Sequence, residues 1–150
     1  MSGFHLAQLN IAQPKGDIDD PIMAGFVARL DEINALAEQS DGFVWRLIAA
    51  AGEPTGIPVF DDANMLVNMS VWQDIEALKH FVYHTAHLEL LKDKSAWFDK
   101  MASQHQCMWW IPAGHVPTLE EAKQRLDELQ ANGPSERAFT FSKPFPAPRD

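Results

Sequence analysis

The sequence is poor in cysteine and has no long apolar run. Cys107 is the single cysteine among 150 residues, so no disulfide can form within the chain, and the simplest compartment is a reducing cytoplasm. The first ten residues lack the basic start and the apolar stretch of a signal peptide. No apolar stretch is long enough to cross a membrane. These absences exclude a disulfide scaffold within the chain and argue against a membrane protein.

Positive charge is also scarce. Twelve Lys and Arg residues stand against 21 Asp and Glu residues, so the net charge is −9. Because nucleic acids and anionic membrane surfaces attract cationic proteins, we expect neither as a partner. Gly-rich phosphate loops and the HExxH and CxxC motifs are missing too, which disfavours a nucleotide-dependent enzyme and a zinc protease.

Aromatic and apolar residues, in contrast, are plentiful. The chain has five Trp and nine Phe, and 46% of its residues are apolar. A chain of this length forms one domain with a sizeable core, and aromatic side chains both fill cores and line apolar ligand pockets. We predict a single domain over residues 1–141 and a flexible tail over residues 142–150, where three prolines lie.

Hydrophobic periodicity predicts the order strand, helix, strand, strand, helix, strand, helix. The predicted strands are Phe4–Ala12, Phe43–Ile48, Met65–Trp72 and Gln104–Ile111. The predicted helices begin at the capping residues Asp20, Asp74 and Thr118. Residues 49–63 form a long loop, and Ala138–Phe141 adds a short edge strand. The first six elements give the α+β class and the ferredoxin-like βαββαβ fold, an antiparallel sheet with its helices on one face.

The third predicted strand is apolar on both faces. One face has Met65, Val67, Met69 and Val71, and the other has Leu66 and Trp72. Because the helices cover only one face of such a sheet, the other face needs a second cover. Another copy of the chain is the simplest one, so we predict a homodimer in which sheet faces sheet.

Asn64–His87 carries the strongest candidates for a binding site. The candidates are Asn68, Ser70 and Trp72 on one strand face, and Phe81, Tyr83 and His87 on the helix that follows. Polar groups and aromatic rings that converge from a strand and a helix form a pocket wall. Amides in an apolar strand cost stability unless they are hydrogen-bonded. Asn10, Asn68 and Ser70 therefore either pair with one another or face a cavity that holds water or ligand.

His80, His84 and His87 have the spacing of one helical face. In a continuous helix, however, the buried apolar stripe lies opposite them. The apolar residues that follow His87, which include Trp97 and Phe98, form a stripe that is rotated relative to the stripe before His87. This rotation predicts a helix break near residues 85 and 86. His87 then points inward, either as a core histidine or as a group that contacts ligand or moves a proton. A three-histidine metal site is not expected, because no fourth ligand is evident.

Two residues on and after the last strand, Trp109 and His115, also belong to the predicted site. Trp109 and Trp110 point to opposite faces of the last strand, and core filling is the stronger interpretation of each. His115 follows the strand end, where loops often carry function, and a solvated or helix-capping histidine explains it equally. The predicted substrate-binding residues are Asn10, Ser70, Phe81, Trp97, Trp109 and His115.

Several segments together resemble a family of bacterial and fungal proteins that is known as a domain of unknown function. They are QLNIA (8–12), DDP (19–21), INALAE (33–38), GFVWRL (42–47), VNMSVW (67–72), ALKHFVY (77–83), WWIPAGH (109–115) and FTF (139–141). The family belongs to the dimeric α/β-barrel superfamily, alongside antibiotic-biosynthesis-type monooxygenases. The resemblance covers residues 4–141 and implies the ferredoxin-like fold and the dimer. It implies no particular reaction.

The wider superfamily implies candidate site residues. Its cofactor-free monooxygenases oxidise polycyclic aromatic substrates between sheet and helices, and they have an Asn and a Trp four residues apart on one strand, which Asn68 and Trp72 resemble. Their tyrosine six residues past the Trp is replaced by Leu78, so proton transfer would fall to another group. Haem-degrading members bind the iron through a helical His and use a strand Asn. His87 and Asn10 are similar to these in kind but not in register.

The sequence is compatible with two functions. The first is a cofactor-independent, monooxygenase-like enzyme for an apolar aromatic small molecule, in which Asn68 and Trp72 position the substrate and Tyr83 or His87 moves a proton. The second is a non-catalytic dimer that binds a hydrophobic ligand, haem or a partner protein. A filled core in which the amides pair internally is the third explanation. No metal ligand is assigned, and haem is the one cofactor left open.

Overall fold

The computed structural model describes residues 3–15, 20–47, 66–84, 98–99 and 106–148. Its strands are β1 (Phe4–Pro14), β2 (Phe43–Arg46), β3 (Leu66–Trp72), β4 (Phe98–Asp99) and β5 (Gln106–Pro112). Its helices are α1 (Ala24–Gln39), α2 (Ile75–His84) and α3 (Leu119–Asn132), and a 3-10 turn at Pro21–Met23 precedes α1. The predicted loop at residues 49–63 lies outside the described residues, as does the predicted helix break near residue 85.

The sheet is antiparallel and is built around β1. Strand β1 pairs with β3 on one side and also pairs with β5, while β2 pairs with β3. The resulting order β2-β3-β1-β5, with α1 between β1 and β2 and α2 after β3, is that of a ferredoxin-like βαββαβ unit. The α+β fold class predicted from the sequence is confirmed.

The three predicted capping residues cap the start of α2, the start of α3 and the 3-10 turn that leads into α1. The carboxylates of Asp20 and Asp74 accept backbone N–H groups two and three residues ahead, at 3.0 and 2.8 Å. Thr118 Oγ1 accepts the backbone N–H of Glu121 at 3.1 Å. These bonds satisfy N–H groups that have no partner inside the helical segment, which is why the 3-10 turn before α1 and the helices α2 and α3 start where they do.

The sheet has an apolar cluster on each face. On the first face, the side chains of Leu6, Trp72 and Met108 pack with Ile33 and Ala37 of α1 and with Leu78, Phe81 and Val82 of α2. On the second face, Ala7, Leu9, Val71 and Trp109 pack with Ala122, Leu126 and Leu129 of α3. The two helices of the βαββαβ unit therefore share one face as predicted, and the added C-terminal helix lies on the other.

The position of α3 changes the argument for a homodimer. The second face was expected to need a second copy of the chain as its cover. Instead α3 of the same chain covers it, and the residues of this face, such as Leu9 and Val71, are buried without a partner chain. The predicted dimer is thus not required to bury the sheet.

Phe98 and Asp99 depart from the predicted secondary structure. The sequence places Phe98 on a helical stripe, but the two residues form β4, which pairs with Gln13 and Pro14 of β1. Extended β1 residues offer backbone partners there, and hydrophobic periodicity over a short apolar stretch does not separate helix from strand. The structure corrects the helical prediction for this pair.

The C-terminal segment is attached to the first face. Phe139 and Met108 exchange two backbone hydrogen bonds of 2.9 Å, so one residue of the predicted edge strand Ala138–Phe141 pairs with β5. Further along, Trp110 Nε1 donates to the carbonyl of Phe145 at 2.9 Å, and the Phe145 ring lies 5.9 Å from that of Phe139. The segment predicted as a flexible tail thus makes specific contacts at Phe145.

Cys107 lies in the second-face cluster, fully buried. Burial raises the pKa of its thiol to about 12, because an apolar surrounding disfavours the thiolate. A neutral, inaccessible thiol is a poor nucleophile, so Cys107 is a core residue. Among the described helices, none is both long and apolar enough to cross a membrane.

Candidate functional site

Polar side chains from four strands meet on the first face. The register places Arg46, Ser70 and Gln8 in one row across β2, β3 and β1, and it places Asn68, Asn10 and Gln106 in the next row across β3, β1 and β5. Directly opposed residues on neighbouring strands point to the same side of the sheet. We call these six residues the polar patch.

A chain of hydrogen bonds runs through the polar patch. Gln8 Nε2 donates to Asn68 Oδ1 and to Ser70 Oγ, both at 2.7 Å. Trp72 Nε1 donates to the same Ser70 Oγ at 2.9 Å. Gln8 and Ser70 are only 5% and 7% exposed, whereas Asn68 is exposed. The chain therefore connects a solvent-facing amide to the indole of a buried tryptophan.

This chain leaves hydrogen-bond donors without acceptors. Ser70 Oγ accepts two hydrogen bonds, so its own hydrogen is left to be donated elsewhere. Asn68 uses its oxygen as an acceptor and keeps both hydrogens of its amide nitrogen. No described residue accepts from either group. The open end of the patch is therefore complementary to an oxygen atom with lone pairs, such as a carbonyl, an enolate or a carboxylate.

Aromatic rings lie beside the polar patch. Trp72 is stacked on Phe81 of α2, with ring centroids 5.2 Å apart and planes 26° apart. Phe43 meets the Trp72 ring edge-on at 5.5 Å. Trp72 is almost completely buried, so it acts on the patch through its N–H group, which holds the Ser70 hydroxyl in place. Phe81 supports Trp72 from the helix side.

Tyr83, His87 and Trp97, which the sequence also predicts at this site, are not members of the polar patch. Tyr83 is 41% exposed, and its ring lies 5.7 Å from that of Phe141 in the C-terminal segment. His87 and Trp97 lie outside the described residues, so their predicted roles stay predictions, and so does the haem alternative that depends on His87.

Trp109 and His115 lie apart from the polar patch, beside α3. Trp109 is fully buried on the second face, and its Nε1 donates to Glu121 Oε2 at 2.8 Å. The other oxygen, Glu121 Oε1, lies 2.7 Å from His115 Nε2. Glu121 thus ties α3 to the sheet and to the preceding loop. The ten predicted site residues therefore do not form a single site.

Three members of the polar patch were not predicted from the sequence: Gln8, Arg46 and Gln106. The alternation of β1 already places Gln8 on the face of Asn10, but its pairing with Ser70 depends on the register between strands. Arg46 had a visible signal, because it is the single charged residue in the apolar segment FVWRLI. Gln106 opposes Asn10, and the sequence gives no signal for that.

Within the described ranges, no three His, Cys, Asp or Glu side chains come together as a metal-binding group. His115 and Glu121 are neighbours, but they lack a third such ligand there. The polar patch itself consists of amides, a hydroxyl and a guanidinium, which are poor ligands for transition metals. Its chemistry is that of hydrogen bonding and charge.

A family comparison identifies the sequence. The profile of the domain of unknown function DUF3291 matches residues 5–150. The chain belongs to the DUF3291 family. This confirms the family resemblance noted in the sequence, and the match continues beyond residue 141 through the C-terminal segment. A comparison with curated proteins finds no match.

Solved structures of similar shape are distant. SnoaB, a cofactor-independent oxygenase from Streptomyces nogalater, is 17% identical with a TM-score of 0.47, over 75% of this chain and 95% of that chain. A protein of unknown function from Nitrosomonas europaea is 12% identical with a TM-score of 0.48, over 77% and 97%. A Chloroflexus aurantiacus protein described as an antibiotic biosynthesis monooxygenase is 9% identical with a TM-score of 0.45, over 76% and 97%. The fold assignment of the DUF3291 chain rests on its own strand order and register.

Proposed function

We propose that this DUF3291 protein binds an apolar aromatic small molecule through an oxygen atom of the ligand, and that it oxygenates this molecule without a cofactor. The supporting observation is the hydrogen-bonded chain from Asn68 through Gln8 and Ser70 to Trp72. At its exposed end, Asn68, this chain has unused donors, and the apolar cluster of the first face lies beside it. The same Asn and Trp are the pair that the family resemblance suggests.

The proposed chemistry uses these donors to stabilise negative charge. Loss of a proton from an activated methylene group beside an aromatic ketone places negative charge on the ketone oxygen. N–H and O–H groups held in place by the sheet stabilise that charge without reorganising. The methylene carbon then takes one atom of O2 and becomes a carbonyl, while its two hydrogens and the second oxygen atom leave as water. One O2 balances this reaction, so no external reductant is needed. Either Tyr83 or His87 is the proposed proton acceptor.

Replacing Asn68 by alanine tests the proposal. We expect the turnover number for anthrone, the probe substrate, to fall by about 100-fold, as for the loss of one donor to a developing oxyanion. Oxygen uptake at an electrode and the absorbance of the anthraquinone formed give the rate above the spontaneous reaction. Because Asn68 is exposed, the fold should persist, which circular dichroism checks.

Asn132→Ala is the matched control, since Asn132 is an exposed asparagine at the end of α3. It should leave turnover unchanged. Equal turnover of Asn68→Ala and the wild type would exclude the proposed role of Asn68. If the wild type binds anthrone but does not accelerate oxygen uptake, the protein is instead the non-catalytic ligand-binding alternative.

We further infer a homodimer, on the family resemblance alone. Light scattering at micromolar concentration should then give twice the chain mass of 16.8 kDa. Because α3 covers the second face, the interface would use other surfaces than a bare sheet face. A monomeric mass would contradict the inference.

A further inference from the structure

Arg46 is the one cation of the polar patch, and its hydrogen-bonding capacity is incompletely used. Its Nε is fully buried and has no hydrogen-bond partner among the described residues. A buried donor of a charged group that lacks an acceptor is costly. Such a group marks a place where a bound acceptor would restore the missing interaction.

The ion pair of Arg46 does not supply that interaction. Arg46 Nη2 lies 3.7 Å from Glu38 Oε1, and the two side chains are 22% and 47% exposed. This distance exceeds that of a charge-assisted hydrogen bond, and a partly solvated pair of this kind is weak. The guanidinium fork therefore remains available for a bidentate partner.

The neighbours of Arg46 add donors. Ser70 lies directly opposite Arg46 across β2 and β3, and its hydroxyl hydrogen is unused because Gln8 and Trp72 already donate to its oxygen. Asn68 adds a free amide nitrogen in the next row. The patch combines one positive charge with the unused donors of Ser70 and Asn68, and none of its own six side chains is acidic. A carboxylate, which only accepts hydrogen bonds and carries one negative charge, fits this set.

We propose that the polar patch recognises the carboxylate of a planar aromatic acid, with Arg46 as its charge partner. The inference rests on the ligand site of the proposed function and names its substrate class. The aromatic body of the ligand would lie towards the half-buried ring of Phe43, which packs edge-on against Trp72 beside the patch. A neutral group in the place of the carboxylate would offer the buried Nε of Arg46 no charge-assisted acceptor.

Two near-isosteric probes test the charge requirement. Anthracene-9-carboxylate and neutral anthracene-9-carboxamide are titrated against the protein, and binding is followed by energy transfer from the tryptophans. We expect the wild type to bind the carboxylate about tenfold or more tightly than the carboxamide, as a charge-assisted contact implies. The preference should shrink at about 1 M NaCl, where the screening length is about 3 Å.

Variants identify Arg46 as the source of the preference. Arg46→Met should weaken carboxylate binding about tenfold to hundredfold and leave carboxamide binding unchanged. Arg46→Lys should restore part of the loss, since it keeps the charge but not the planar fork. Arg137→Met is the matched control, because Arg137 also lies 3.7 Å from a helix glutamate, Glu128, and is far more exposed. It should bind both probes as the wild type does.

Equal binding of the two probes by the wild type would overturn the inference, as would an Arg46→Met variant that keeps the carboxylate preference. If Arg46→Met does not fold, the wild-type preference and its salt dependence decide. Turnover is not needed for any of these measurements. Carboxylate preference without oxygen uptake would therefore support the aromatic-acid ligand and contradict the oxygenase activity. Anthrone turnover without carboxylate preference would support the oxygenase activity and contradict the aromatic-acid ligand.

Discussion

Trp109→Ala is expected to lower the free energy of unfolding by about 3–5 kcal/mol. The indole is fully buried between β5 and α3, in the cluster that includes Leu126 and Leu129. Truncation removes its apolar contacts and leaves a cavity that the surrounding sheet and helix cannot fill by collapsing. For a domain with a typical stability of about 5–15 kcal/mol, this is a large fraction of the total. Urea denaturation followed by circular dichroism measures the change.

Two further variants separate the contributions of packing and hydrogen bonding. Trp109→Phe keeps a ring but loses the N–H that donates to Glu121, so we expect a smaller loss than with alanine. Val116→Ala is the control, because Val116 is exposed beside α3, and it should change stability by less than about 0.5 kcal/mol. A Trp109→Ala variant as stable as the control would mean that α3 does not pack on the second face.

The fold was predictable wherever local chemistry determines it. Strand alternation located β1 and β3 nearly to the residue, and the caps at Asp20, Asp74 and Thr118 located the helix starts. The destination of α3 was not predictable in this way. Its apolar stripe shows that the helix packs on something, but the sheet face of the same chain and the surface of a second copy would require the same stripe.

Part of the candidate site was predictable for the same reason. A period of two places Asn68, Ser70 and Trp72 on one face. In the structure, Asn68 and Ser70 both accept hydrogen bonds from Gln8, and Ser70 also accepts one from Trp72. Gln8 itself required the register of β1 against β3, and a slip of one residue would turn it to the opposite face. Such a register depends on contacts some sixty residues apart in sequence. The sequence alone does not contain a local signal for it.

The sheet face on which Trp109 lies also depends on the register between strands. The sequence predicts that Trp109 and Trp110 point to opposite faces, but it does not say which of them joins Asn68. Pairing of Trp109 with Ala7 and of Trp110 with Leu6 decides the matter. Trp110 lies on the face of the polar patch, and Trp109 lies under α3.

Gly42→Ala is expected to lower the free energy of unfolding by about 2–5 kcal/mol. Gly42 has a φ of +85°, which residues with a Cβ adopt only at a cost. A Cβ there would also meet the Cβ of Ala77 in the first turn of α2. The backbone cannot easily withdraw, because the Gly42 carbonyl accepts the N–H of Gln73 at 2.7 Å. Urea denaturation again measures the effect.

The same variant in an Ala77→Gly background separates steric contact from backbone strain. Ala77→Gly alone should cost about 1 kcal/mol through its lower helix propensity. If contact with Ala77 contributes to the destabilisation, Gly42→Ala will lower the free energy of unfolding less in this background than in the wild type. The loss that remains in the Ala77→Gly background then measures the backbone strain of the positive φ. Equal costs in both backgrounds would show that the contact has no role.

The turn at Gly42 also sets the start of β2, and with it the pairing of Arg46 with Ser70. Folded Gly42→Ala protein should therefore bind anthracene-9-carboxylate more weakly than the wild type.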